Sequence, residues 1–176
     1  MKILFVCHRM PYPPRRGGKI RPFNIIRHLA EQGHRVTIVS MARTGEEADA
    51  GAGLAEHCEE VVVETVGSAG PWFRTLSRLF TMTPSSMGYF YSPALHKRVR
   101  ERLASRRYDL IFVHCSSVAQ YVSDVSDVPK IIDFGDMDSQ KWLAYSRHRA
   151  FPLSLGYWLE GRKLARAERR GRRCVA

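Results

Sequence analysis

Cysteine is scarce in this sequence, and its four copies are far apart. Cys7, Cys58, Cys115 and Cys174 form no C-x-x-C motif, and no histidine stands at the spacing of a zinc ligand set. Small disulfide frameworks and structural zinc sites need closely spaced cysteines. We therefore expect reduced thiols, no metal site and no bound cofactor.

Long apolar runs are also missing. The first run, at 3–7, has five residues and is followed directly by His8 and Arg9, which makes it too short for the apolar region of a secretory signal. No run approaches the roughly 20 apolar residues that cross a bilayer as a helix. The sequence therefore predicts a cytoplasmic protein without a transmembrane segment.

Acidic residues are outnumbered, with 17 Asp and Glu against 28 Lys and Arg and a net charge of +11. Most of this excess lies at 147–173, where nine basic residues stand against Glu160 and Glu168. The rest of the chain has no basic patch interleaved with aromatic residues, the pattern typical of nucleic-acid binding. We therefore expect no nucleic-acid partner.

The basic segment at 147–173 also contains apolar residues, of which the relevant ones are Leu155, Tyr157, Trp158 and Leu159. Apolar side chains beside a basic run favour attraction to anionic lipid head groups. The sequence thus indicates peripheral contact with the inner face of a membrane. The alternative is a solvated helix face.

A chain of 176 residues suits one domain that buries its own core. Apolar and β-branched runs predict strands at 3–7, 35–41, 60–65, 109–113 and 130–134. Helical spacing or start signals predict helices at 19–32, 71–80, 93–106, 116–123, from 140, and 152–172. This alternation predicts an α/β, Rossmann-like, doubly wound parallel sheet with a ligand crevice at the carboxyl ends of its strands. We assign residues 1–173 to this domain and 174–176 to the start of a further strand.

The sequence at 1–21 reads as strand, loop and helix, and the pair Gly17-Gly18 stands just before the predicted helix. Such a junction directs backbone N–H groups and the positive end of a helix toward one point, which suits a phosphate. Glycine fits where the backbone takes a positive φ or passes close to a ligand. The alternative is a long turn without a ligand.

Further polar residues collect at the carboxyl ends of the predicted strands, namely His8, His114, Ser116, Asp133, Asp136 and Asp138. His114 is suited to hydrogen-bond a sugar or phosphate, or to carry a proton, unless it is a structural histidine. Asp136 and Asp138 form a D-x-D pair that could hold a divalent cation, although Asp138 or Ser139 could equally cap a helix.

A dinucleotide-binding domain is disfavoured by this pattern. The G-x-G-x-x-G motif needs a tight turn directly after the first strand, whereas about ten residues separate Cys7 from Gly17. The second predicted strand ends at Ser40 and Met41 with no acidic residue to bind a ribose hydroxyl.

Three blocks of the sequence resemble the amino-terminal half of a GT-B glycosyltransferase of the retaining family 4 type. They read HRMPYPPRRGGKIRPFNIIRHLA at 8–30, YDLIFVHCSSVAQYV at 108–122 and IIDFGDMDSQKWLAYSRHRAFPLSLGYWLEGRKLARAERR at 131–170. The chain is most similar to the group associated with exosortase and PEP-CTERM exopolysaccharide systems. The resemblance is weakest at 42–70.

The resemblance implies an acceptor-side domain that faces a nucleotide-sugar-binding domain across a cleft. It implies that Gly17 and Gly18 approach the donor diphosphate, assisted by Arg21 and Asn24, and that His114 is the catalytic-site histidine directed at the transferred sugar. The residues implied to shape the acceptor side are His8, Ser116, Asp133, Asp136 and Asp138.

The resemblance leads us to expect metal-independent transfer of a hexose, with retention, to a glycan or lipid-linked acceptor in exopolysaccharide assembly. The family's carboxyl-terminal domain, which binds the nucleotide sugar, is absent from these 176 residues. We therefore expect the chain alone to be inactive, because transfer needs donor and acceptor in one water-poor cleft. The alternative is a noncatalytic α/β module that binds a phosphate or nucleotide.

Overall fold

A computed structural model describes residues 1–67, 75, 77–78 and 81–173, with side chains of the last helix described up to residue 169. The predicted helix at 71–80 lies largely outside the described residues, and the predicted strand start at 174–176 lies wholly outside them. The other elements can be compared with the sequence directly.

The described residues form five strands and six α-helices. Strands β1 to β5 span Lys2–Cys7, Arg35–Ala42, Glu60–Thr65, Leu110–His114 and Lys130–Asp133. Helices α1 to α6 span Gly17–Glu31, Gly45–Asp49, Ser85–Tyr89, Pro93–Ser105, Asp138–Arg147 and Leu153–Arg173. Two short 3₁₀ helices span Ala50–Leu54 and Ser116–Tyr121.

The five strands form one parallel sheet in the order β3-β2-β1-β4-β5, with helices on both faces. This confirms the Rossmann-like α/β prediction. Strand order reverses between β1 and β4, and in such sheets a ligand crevice opens at the carboxyl ends of the strands at this point. The register places Cys7 opposite His114, and His114 opposite Asp133.

The core consists of two layers separated by the sheet. Leu4 and Val6 of β1 pack on the layer that includes Leu95 of α4, whereas Phe5 packs on the layer that includes Ile26 of α1. Side chains alternate between the two faces of a strand, so an apolar run such as β1 must be covered on both sides. The apolar character of β1 is thereby explained.

Two local predictions were wrong. Helix α1 begins at Gly17, two residues before the predicted start at 19, so Pro22 lies inside the helix. The helix predicted at 116–123 is instead the 3₁₀ helix Ser116–Tyr121, and Cys115 before it makes no side-chain capping bond. Neither error changes the order of the strands.

Helix α6 carries two buried glutamates that bind the starts of other helices. Glu160 accepts hydrogen bonds from the backbone N–H of Ser85 (3.0 Å) and of Ser86 (2.9 Å) at the start of α3. Glu168 accepts from the backbone N–H of Ser139 (3.0 Å) and from its hydroxyl (2.5 Å) at the start of α5. These carboxylates satisfy N–H groups that a helix leaves without internal acceptors. Their buried negative charges also offset part of the positive charge of α6.

Helices α5 and α6 form an antiparallel hairpin that closes tightly at one point. A Cβ added to Gly161 would lie 2.8 Å from Cγ and 3.1 Å from the backbone nitrogen of Leu143. The two helices therefore approach more closely than any residue with a side chain permits.

Among the described helices, none is long and apolar enough to cross a membrane.

We predict that Gly161→Ala lowers the free energy of unfolding by about 1–3 kcal/mol, because the new methyl group overpacks the interface. Urea titration followed by circular dichroism measures this change. Gly156→Ala in the same helix is the matched control, since no described atom lies within 4 Å of its Cβ position. Both variants gain helix propensity, so equal stability of the two would contradict the tight contact.

Candidate functional site

A cluster of polar side chains lies at the carboxyl ends of β1, β4 and β5, beside the first turns of α1. Its centre is Asp133, the last residue of β5. One carboxylate oxygen accepts a hydrogen bond from Nη2 of Arg21 at 2.8 Å and from the backbone N–H of Gly135 at 3.0 Å. The other lies 3.1 Å from Nδ1 of His114. Asp133 therefore joins helix α1 to the end of β4.

This contact determines which nitrogen of His114 carries the proton. An ionised carboxylate only accepts hydrogen bonds, so Nδ1 of His114 must donate to Asp133. The neutral ring then presents Nε2 as an acceptor. Burial lowers the pKa of His114 below its ordinary value, although Asp133 opposes this by favouring the charged ring. His114 is thus a neutral, oriented imidazole.

His8 lies beside His114. The centroids of the two imidazole rings are 5.8 Å apart. The His8 and Phe90 rings are nearly perpendicular, with their centroids 5.4 Å apart. Nδ1 of His8 is buried and has no hydrogen-bond partner among the described residues. Burial, the neighbouring His114 and Arg9 together lower the pKa of His8 to about 4. Two neutral histidines therefore stand side by side at the ends of β1 and β4.

A cavity of about 130 Å³ opens next to His8, at the ends of β1, β2 and β3. The residues that could contact a ligand there are His8, Arg9, Arg43, Tyr89 and Phe90. The guanidinium of Arg43 lies over the ring of Tyr89, 5.1 Å from its centroid. Two cationic side chains and a neutral imidazole suit a ligand that carries hydroxyl groups or negative charge.

Gly17 and Gly18 form the first turn of α1 and are exposed. Neither has a positive φ, so that reason for glycine does not apply here. A Cβ at either position would meet no described atom within 4 Å, so the space above this turn is open. The residue before the helix, Arg16, makes no side-chain capping bond. The first N–H groups of a helix have no internal acceptor, which leaves this end suited to an anion.

Arg21 connects this helix end to the histidines. It lies one turn beyond Gly17, and its ion pair with Asp133 places the start of α1 beside His114. The Arg21 side chain is 59% exposed, whereas the Asp133 side chain is only 11% exposed. Arg21 therefore keeps open N–H donors while Asp133 stays fixed. Asn24 is exposed on the next turn of α1.

Cys115 shapes the turn after His114. Its φ of 84° lies in the left-handed region, which non-glycine residues seldom adopt. Its backbone N–H donates to the carbonyl of Asp133 at 2.8 Å, which holds the turn against β5. Burial raises the pKa of the Cys115 thiol, so the thiol stays protonated at neutral pH. Cys115 is thus a structural residue of the site.

Ser116 lies on a different cavity, of about 330 Å³, between β5, the 3₁₀ helix at 116–121 and α6. Its buried hydroxyl has no partner in the described part of the chain. The apolar residues on this cavity include Ile132, Phe134 and Leu164. Because none of the residues around His8 lines it, the structure separates Ser116 from the histidine pair.

The D-x-D pair is incomplete as a metal site. Asp136 is exposed, and burial together with nearby acidic groups raises the pKa of Asp138. Across the described ranges, no group of three or more His, Cys, Asp or Glu side chains could hold a metal ion. Asp138 begins α5, but the cap of that helix is the Glu168 carboxylate described above.

Sequence reasoning missed several members of the site. Arg43 directly follows β2, so the rule that selected His8 and His114 could have selected it too. Tyr89 and Phe90 had no such signal, since they come from the short helix α3 and the residue after it. Their approach to His8 depends on tertiary packing. The Arg21–Asp133 pair likewise joins residues 112 positions apart.

We predict that stability falls as the pH is lowered from 6.5 toward 4, because the folded state resists protonation of His8 while the unfolded chain does not. The expected loss attributable to His8 between pH 7 and 5 is about 2 kcal/mol. Urea unfolding of the wild type and His8→Gln at both pH values measures it. His28→Gln, at an exposed position of α1, controls for removing one imidazole. A His8→Gln variant with the same pH dependence as the wild type would refute the assignment.

A match to one protein family agrees with this architecture. Searches of curated proteins and of solved structures found no match. A search against protein-family models matches residues 15–176 to the model described as Glycosyltransferase Family 4. This match begins just before Gly17 and covers all the site residues named above except His8 and Arg9. The chain, a Rossmann-like α/β domain with histidines at its strand ends, belongs to the Glycosyltransferase Family 4.

Proposed function

We propose that this chain is the acceptor-side domain of a retaining hexosyltransferase that uses a nucleotide sugar and acts on a glycan or lipid-linked acceptor in exopolysaccharide assembly. The reaction needs no metal in this proposal, and it takes place at the inner face of the cytoplasmic membrane. The observation that carries the proposal is the chain of contacts from Arg21 through Asp133 to His114. It brings a positively charged helix start and an oriented imidazole to one edge of the sheet.

The donor diphosphate is assigned to the start of α1. This end has the positive helix terminus, the open space above Gly17 and Gly18, and the exposed guanidinium of Arg21. No acidic residue lies in the first turn to repel an anion. A diphosphate held here would be stabilised as it leaves, because fixed positive groups already face the developing charge.

His114 is assigned to the transferred sugar. Its lowered pKa makes it a weak base, so we assign it to hydrogen bonding and not to proton removal. The Nε2 atom is the acceptor that would bind a sugar hydroxyl, and Asp133 fixes the ring in that orientation. Such a contact positions the sugar without adding charge to the site.

The acceptor is assigned to the cavity beside His8. Arg9, Arg43 and Tyr89 offer donors and an aromatic ring there. Ser116, Asp136 and Asp138 are not part of this cavity. We therefore keep His8 as an acceptor contact and give the other three no direct contact. Asp133 does not line the cavity either, and we keep it on the acceptor side because it positions the His114 ring. A second domain that binds the nucleotide would complete the cleft, and we expect this chain alone to bind ligands without transferring sugar.

Titration of the ¹⁵N-labelled chain with UDP, GDP and their hexose conjugates tests the donor site. We predict that the amide resonances of Gly17 and Gly18 shift with the diphosphates, because their N–H groups would bind the ligand. The amides at the start of α4 serve as an internal control, since the Ser92 hydroxyl already accepts from Leu95 N–H there. Unchanged Gly17 and Gly18 resonances with every nucleotide would refute the assignment.

We predict that Gly18→Val preserves the fold but weakens diphosphate binding at least about tenfold, because its side chain enters the space that a ligand needs. Titration calorimetry with the tightest nucleotide measures this, and thermal unfolding confirms the fold. The matched control is Gly45→Val, at the start of α2, where no described atom lies within 4 Å either. Nucleotide binding without transfer to any acceptor, when a nucleotide-binding domain is also present, would favour the noncatalytic module.

A further inference from the structure

The tip of the α5–α6 hairpin, defined here as residues 145–159, exposes an unusual amount of apolar surface. Eleven large hydrophobic side chains are exposed among the described residues, and six of them belong to this tip. They are Tyr145, Phe151, Leu153, Leu155, Trp158 and Leu159. Scattered exposed hydrophobics are normal, but a concentration of them marks an interaction surface.

The charged side chains of the hairpin tip are all positive. Residues 145–159 contain Arg147 and Arg149 and no acidic residue, and Arg162 follows one turn later. The nearest acid along α6, Glu160, is buried and bound to the start of α3. Its charge is therefore directed inward. The surface that remains combines apolar, aromatic and cationic groups.

The exposure is fixed by the packing of the hairpin below the tip. Trp142 and Tyr157 pack with ring centroids 5.2 Å apart, and Gly161 contacts Leu143 closely. Glu160 and Glu168 hold α6 to the starts of α3 and α5. These contacts orient both helices. The side chains on the other side of the hairpin and in its connecting loop, such as Phe151 at 79% exposure, therefore face outward.

We propose that the hairpin tip docks on the surface of an anionic lipid bilayer. Phe151, Leu153 and Trp158 enter the boundary between head groups and acyl chains, and the arginines bind lipid phosphates. Arg162 lies over the Trp158 ring, 5.6 Å from its centroid, which places a cation at the depth where an aromatic ring meets head groups. The charge complementarity identifies the partner as anionic lipid.

Two other occupants fit the surface less well. A second copy of the chain in a symmetric dimer would bring Arg147 and Arg149 of both copies together without an acidic partner on the tip. A nucleic acid would satisfy the arginines, but its phosphate backbone offers no apolar environment for Phe151 or Leu153. A bilayer satisfies both sets of groups at once.

This placement also relates the membrane to the candidate site. Helix α5 begins at Asp138, close to Cys115 and the end of β4, and has ten residues. At 1.5 Å per residue, its far end lies about 15 Å from that edge of the sheet. A bilayer at the tip would therefore be within reach of an acceptor that keeps its lipid part in the membrane. Docking itself requires no part of the sugar-transfer proposal.

Flotation of the 176-residue chain with phosphatidylcholine vesicles, and with vesicles containing about 30% phosphatidylglycerol, tests the docking. We expect binding to the anionic vesicles that weakens as salt rises, and little binding to the neutral ones. Equal binding to both vesicle types, or none to either, would overturn the proposal. Neither result bears on nucleotide binding at α1, so the docking can fail while the donor-site assignment stands, although the proposed location at the membrane would fail with it.

Two variant pairs separate the apolar and the cationic contributions. Phe151→Ser with Trp158→Ser should lower vesicle partitioning at least about tenfold, whereas Met82→Ser with Ile131→Ser, exposed elsewhere, should not. Arg147→Glu with Arg149→Glu should lower it more than about 20-fold, whereas Arg98→Glu with Arg107→Glu is the charge-matched control.

Circular dichroism of each variant establishes that the fold is retained. If the tip variants and their controls lose binding equally, general electrostatics and not the tip is responsible, and the proposal fails. If light scattering shows a dimer that Phe151→Ser with Trp158→Ser dissociates, the surface belongs to a second copy instead.

Discussion

Parallel pairing of β1, β4 and β5 is the constraint on which the candidate site depends. The register sets Cys7 opposite His114 and His114 opposite Asp133, so the polar residues that end these strands share one edge. His8 follows β1 directly and therefore reaches the His114 ring. Arg21 then closes the group from α1 through its ion pair with Asp133. A shift of one residue in β4 or β5 would separate the histidine from its carboxylate.

The hairpin of α5 and α6 depends on a different constraint, the placement of carboxylates on a basic helix. Glu160 and Glu168 lie eight residues apart on α6, which at 3.6 residues per turn sets their side chains about 80° apart around the helix axis. Both therefore fit within one broad buried face of the helix. Each binds N–H groups that have no acceptor within their own helix, at the starts of α3 and α5. Burying a carboxylate is costly unless it is hydrogen-bonded, and these bonds supply that compensation. Among the described side chains of α6, Arg162, Arg166 and Arg169 remain at the surface.

The fold was largely predictable from sequence, because β1, β2 and β4 are apolar runs bounded by clear helix patterns. Their periodicity determines the element type, and the alternation of types determines the parallel sheet. The site was only partly predictable. His8, His114 and Asp133 lie at the carboxyl ends of strands and could be selected by that position, whereas Tyr89 and Phe90 reach the cavity through the packing of α3. Ser116 obeyed the same rule and yet lies elsewhere.

Sequence reasoning failed where a local pattern has two physical meanings. Gly17 and Gly18 suggested either a positive φ or the close approach of a ligand. Both are helical without a positive φ, and the space around them is open, so only the second reason is left as a prediction. Ser139 suggested a helix cap, but its own N–H is bound by Glu168 from 29 residues away. In both cases the surroundings of the residue depend on atoms that are distant in sequence. The spacing of residues within a short segment carries no information about those atoms.

Arg21 links the charge at the start of α1 to the pKa of His114. Burial is the main cause of the lowered pKa of His114, and the Arg21 guanidinium, which binds the same Asp133 carboxylate, lowers it further. An anion seated at the start of α1 would compete with Asp133 for that guanidinium and would add negative charge nearby. Both effects favour a protonated imidazole, so the basicity of the ring would rise when the neighbouring helix end is occupied and fall again when it empties.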